Sequence, residues 1–107
     1  MCKFTDNLLT INDKEISLNH PIKQLIVFGN YVVILLEDEE MPNNIMAFNY
    51  EGIELWKIND ILKIENPGNF TEIEKVSESV LGVYYVWGIY YEIDINTRET
   101  IKKEYTR

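Results

Sequence analysis

Apolar residues along this chain either alternate with polar ones or run in short unbroken blocks, and no stretch holds the 3.6-residue spacing of a helix for three turns. Both patterns are β patterns. In Ile89-Tyr90-Tyr91-Glu92-Ile93-Asp94-Ile95 the alternation puts Ile89, Tyr91, Ile93 and Ile95 on one face and Tyr90, Glu92 and Asp94 on the other, as in a sheet with one wet side. Residues 22–28 and 31–37 are instead apolar on both faces, which predicts a hairpin covered on each side, turning at Gly29-Asn30 with positive φ. Its register would set Val27 opposite Val32, Ile26 opposite Val33 and Leu25 opposite Ile34.

Turn residues recur about every 8 to 12 positions, the rhythm of a sandwich or rolled sheet. A first hairpin is expected from residues 7–11 and 15–18 around Asn12-Asp13-Lys14, and a third from 45–48 and 53–58 around Asn49-Tyr50-Glu51-Gly52. The tail predicts strands at 72–76, 80–86, 89–95 and 100–105. Asn59 can cap one helical turn before Pro67-Gly68. The expected fold is a single all-β domain over residues 1–107, an antiparallel sandwich or rolled sheet of seven to nine strands with at most one short helical turn.

Composition narrows the chemistry. No apolar run approaches the roughly 18 residues that span a bilayer, and the start, Met1-Cys2-Lys3-Phe4, is not an export signal, so a cytoplasmic protein is expected. Cys2 is the single cysteine and His20 the single histidine, which leaves neither an internal disulfide nor a His/Cys metal site. His20 precedes Pro21 and reads as a turn residue, no Gly-x-Ser-x-Gly elbow occurs, and neither Ser77 nor Ser79 lies near it in sequence. No enzyme and no cofactor are expected. The net charge of −8 repels phosphate backbones and attracts basic surfaces, so nucleic acid is a poor partner and a basic protein a good one.

Two features could carry binding. Glu37-Asp38-Glu39-Glu40 is an acidic loop without the alternating spacing and glycine of a calcium site. Tyr84-Tyr85-Val86-Trp87-Gly88-Ile89-Tyr90-Tyr91 has five aromatic rings in eight residues; a turn at Trp87-Gly88 would pair Tyr85 with Tyr90 and Tyr84 with Tyr91, leaving Tyr84, Trp87 and Tyr90 as candidate anchors. Trp56 is expected in the core.

The segments Met46-Ala47-Phe48-Asn49-Tyr50-Glu51-Gly52-Ile53-Glu54-Leu55-Trp56 and Tyr91-Glu92-Ile93-Asp94-Ile95-Asn96-Thr97 resemble blade hairpins of quinoprotein-type β-propellers, with Arg98 where such turns usually carry glycine. A non-glycine residue there at positive φ would cost about 1 kcal/mol. The chain also resembles small bacterial proteins of similar length, some of them immunity partners of toxins. That resemblance implies a protein that neutralises a basic toxin by occupying its active site, and charge and aromatic content single out Glu37, Asp38, Glu39, Glu40, Tyr84, Trp87 and Tyr90 as the residues expected to hold the partner. The alternative is a small-ligand or carbohydrate-binding domain using the aromatic residues as a platform.

Overall fold

The computed structural model describes residues 1–37, 43–64 and 68–106. Their strands form three antiparallel meanders in chain order. The N-terminal sheet contains β1 (Cys2–Thr5), β2 (Leu8–Ile11) and β3 (Lys14–Ser17); the central sheet contains β4 (Ile22–Val27), β5 (Val32–Leu36), β6 (Ile45–Phe48) and β7 (Glu54–Lys57). One helical turn, α1 (Asn59–Leu62), leads to the C-terminal sheet of β8 (Phe70–Lys75), β9 (Val80–Tyr85), β10 (Ile89–Asp94) and β11 (Glu99–Tyr105). The all-β class holds, but the expected sandwich or rolled sheet of seven to nine strands does not: the described residues form eleven strands in three antiparallel sheets, with one short helix.

The central sheet is the middle layer because it is apolar on both sides. Every residue of β5 and β6 is buried. Val33, Leu35, Ile45, Ala47 and Trp56 face Phe70, Ile73, Leu81, Val83, Tyr91 and Ile93 of the C-terminal sheet. Val32, Ile34, Leu36, Met46 and Phe48 face Leu9 and Ile11 of the N-terminal sheet. The register Val27↔Val32, Ile26↔Val33 and Leu25↔Ile34 is the one expected. Burial of β4 on both faces is not found: it is an edge strand, bulged between Ile22 and Gln24, with Val27 45% exposed. Nor does Gly29-Asn30 use positive φ; Phe28 N–H closes the turn on Tyr31 O at 2.8 Å.

The central and C-terminal sheets meet where β4 and β5 approach β8. There side chains take the place of a neighbouring strand. Asn44, buried between the sheets, accepts from Phe70 N–H at 3.0 Å and donates to Phe70 O at 2.8 Å and Leu36 O at 2.9 Å. Gln24 repeats the device one step along β8, accepting from Ile73 N–H at 2.8 Å and donating to Ile73 O at 3.1 Å. Lys23 and Lys75 add bonds to Thr71 O and Val27 O. An amide side chain has the same donor and acceptor as a peptide group, so the free edge of β8 is satisfied without further pairing. On the opposite side the two sheets diverge, and α1 sits against β7 and β11 with Ile61 and Leu62 on the core. Asn59 is not the helix cap expected: the cap position is Ile58, without a side-chain bond, while Asn59 N–H is taken by Asn43 Oδ1 and Asp60 accepts from Lys57 N–H.

Turn chemistry fixes the remaining hairpins. Asn12 is left-handed (φ 54°) in a two-residue turn with Asp13, one residue shorter than expected. Asn49 Oδ1 accepts from Glu51 and Ile53 N–H ahead of Gly52 at φ 84°. Arg98 adopts the strained φ of 63° itself, with no glycine to relieve it.

A carboxylate face on the C-terminal sheet

The outer face of the C-terminal sheet follows from its register, because directly paired residues point the same way. One row across β8, β9, β10 and β11 reads Glu72, Tyr84, Tyr90, Glu104; the next reads Glu74, Gly82, Glu92, Lys102. A third holds Val80, Asp94 and Glu99. Among the described residues this face carries six carboxylates (Glu72, Glu74, Glu92, Asp94, Glu99, Glu104) against one cation, Lys102, whose Nζ lies 3.5 Å from Glu104. Like charges directly opposite, such as Asp94 and Glu99, destabilise a sheet, and Glu and Asp are poor strand residues. Asp94 Oδ1 is itself engaged in the turn that follows, accepting from Asn96 N–H at 2.8 Å and Thr97 N–H at 3.0 Å.

Two tyrosines hold its centre. Tyr84 donates to Glu74 at 2.8 Å and Tyr90 to Glu92 at 2.7 Å, with ring centroids 4.7 Å apart and planes 41° apart. Tyr90 is only 7% exposed, because it lies across Gly82: a β carbon there would stand 2.7 Å from the Tyr90 hydroxyl. Both phenols are held neutral. The Glu74 hydrogen bond raises the Tyr84 pKa first, with burial and the charges of Glu74, Glu72 and Glu104 behind it. Burial raises that of Tyr90 most, followed by the Glu92 hydrogen bond and the charges of Glu92 and Glu74.

The aromatic pairing expected from the sequence is shifted by one residue. The loop is Val86-Trp87-Gly88 rather than Trp87-Gly88, closed by Gly88 N–H to Tyr85 O at 3.0 Å with Gly88 at φ 83°. Tyr84 therefore faces Tyr90, and Tyr85 turns into the core beside Phe70, their centroids 5.3 Å apart. Trp87 stands 59% exposed at the hairpin tip, its indole bonded to the Tyr85 hydroxyl. Trp56 is buried as expected.

The structure thus joins Tyr84 and Tyr90 on one face with Trp87 at its end. Glu37 lies elsewhere, exposed just past β5 with its N–H on Pro21 O, and Asp38, Glu39 and Glu40 lie outside the described residues. Sequence reasoning passed over Glu72, Glu74, Glu99 and Glu104. Their signal was the alternation itself, since acids recur every second position in 72–74 and 92–94. His20 lines a cleft with Ser17, Leu36 and Glu54, and no group of three His, Cys, Asp or Glu residues arranged for a metal occurs among the described residues. No helix among them is long and apolar enough to cross a membrane.

A family model described as a domain of unknown function (DUF7957) matches residues 1–105. The chain belongs to the DUF7957 family. No curated protein and no solved structure matches this member.

Proposed function

We propose that this DUF7957 chain is a non-enzymatic protein-binding module that docks a basic partner on the carboxylate face of its C-terminal sheet. The observation that carries the reading is the concentration of Glu72, Glu74, Glu92, Asp94, Glu99 and Glu104 around the Tyr84–Tyr90 pair. A strongly single-signed surface steers a complementary partner, and tyrosine at its centre supplies rigid contact area. As an immunity protein the chain would work by occupying the basic cleft of a toxin, with no chemistry of its own. The tilt of the two rings and the burial of Tyr90 favour this over a flat stacking platform for sugars. The test places a photo-crosslinking residue at Glu92 or, as a control, at Asp13 in the full chain in its native host. The reading requires basic proteins captured from position 92 and not from 13; acidic proteins, or equal capture from both, would overturn it.

A further inference from the structure

The C-terminal sheet ends differently on its two sides. The outer edge of β8 is occupied by the amides of Asn44 and Gln24. The outer edge of β11 has no such cover: every residue from Glu99 to Tyr105 is exposed, including Ile101 at 54% and Tyr105 at 69%, and β10 is its one strand neighbour among the described residues. Thr106 N–H bonds inward to Gly88 O at 2.7 Å, so by strand alternation the N–H groups of Tyr105 and Lys103 point away from the sheet.

A row of unpaired main-chain groups is a template for another strand, and lysines along it keep most strands away. The charge order of β11 makes an exception for a second copy of itself. Two copies meeting antiparallel about a two-fold axis can centre on Lys102, Lys103 or Glu104. Centring on Lys102 sets that cation against itself, and centring on Glu104 sets two carboxylates directly opposite, both unfavourable. Centred on Lys103, the pairing places Lys102 of each copy opposite Glu104 of the other, twice over by symmetry. Lys102 and Glu104 already meet at 3.5 Å within one chain, so the four side chains join in one network on the carboxylate face. Lys103 then supplies the outward main-chain groups that a hydrogen-bonded pair exchanges. Its side chain is drawn back from the axis, with Nζ 5.8 Å from the Tyr91 ring and 5.5 Å from the Tyr105 ring of its own chain. Residues 99–105 hold two acids and two bases, so β11 is a neutral edge in a chain of net charge −8, along which two copies approach with the least repulsion.

We propose that β11 is a self-association edge, on which two copies of this chain pair antiparallel about Lys103 to form a two-fold dimer. Their four-stranded sheets become one continuous sheet, and an axis normal to it brings the two carboxylate faces onto one side. The inference rests on the edge alone and stands whether or not a basic partner docks on that face. Sedimentation equilibrium of the full chain, from micromolar to millimolar, should show a monomer–dimer equilibrium, and amide exchange at Lys103 should slow as concentration rises. Lys102→Glu and Glu104→Lys each turn two attractive pairs into repulsive ones, and each should weaken the dimer about tenfold. Mixing the two variants restores unlike charges at both positions and should recover the parent affinity as a mixed dimer, which an effect on folding alone would not do. A chain still monomeric at millimolar concentration, a dimer whose Lys103 amide exchanges at an unchanged rate, or mixed variants that associate no better than either alone would each overturn the proposal.

Discussion

Removing the Asn44 side chain should unlock the central sheet from the C-terminal one. In Asn44→Ala, Phe70 N–H loses its acceptor in a place where Phe70 is 1% exposed, and the carbonyls of Phe70 and Leu36 lose a donor. An unsatisfied buried donor costs about 1–3 kcal/mol and the two carbonyls add less each, so roughly 3 kcal/mol is expected. That is a large share of the roughly 5–15 kcal/mol available to a domain of this size. Asn44→Asp keeps the acceptor for Phe70 N–H but turns an anion toward two carbonyls, so it should be at least as damaging although its shape is nearly unchanged. Urea unfolding followed by far-ultraviolet circular dichroism measures both: the midpoint should fall with the slope constant. A loss below about 1 kcal/mol in Asn44→Ala, or an Asp variant as stable as the parent, would refute the view that this amide stands in for a strand.

Three further outcomes follow from single residues. Arg98→Gly relieves a left-handed backbone at φ 63° and should stabilise the fold by about 1 kcal/mol in the same assay; a destabilised variant would show that the Arg98 side chain matters more than its strain. Folded-state pKa values of Tyr84 and Tyr90 lie above the unfolded value of 10.0, so the folded chain binds more protons above pH 10, and their stabilisation, complete below pH 10, is lost as pH rises through the folded values. Stability measured against pH should therefore decline in alkali, and Tyr90→Phe should make that decline shallower; an unchanged profile would show that Tyr90 is not held neutral. Gly82→Ala pushes a methyl group into Tyr90 and Glu74, and should lower the apparent Tyr90 pKa by breaking its bond to Glu92, as read by tyrosinate absorbance.

Much of the central sheet was legible because one physical signal dominated it. Residues 31–36 are apolar on both faces, only a middle layer satisfies that, and the Gly29-Asn30 link fixed the register. Strand β1 was missed because its turn at Asp6 takes φ 53° without a glycine to announce it. The aromatic hairpin slipped by one residue because Gly88 ends a three-residue loop rather than a two-residue one, and a slip of one exchanges core and surface: Tyr85 went inside. The clamps of Asn44 and Gln24 join residues 26 and 49 positions apart, beyond any local pattern. The candidate site was half visible: Tyr84 and Tyr90 stood out as aromatic density, whereas the acids around them became a cluster only when four strands were laid side by side.

The most direct test of the basic-partner reading is the association rate with the protein captured by crosslinking, measured at low and at physiological salt. Long-range attraction between exposed charges is screened over about 8 Å at physiological ionic strength. The intact chain should therefore associate at least tenfold faster at low salt, and replacing Glu72, Glu74, Glu92 and Glu104 by Gln should slow association and flatten that dependence, while dissociation changes little. A rate indifferent to salt, or one that the four substitutions leave unchanged, would contradict the account.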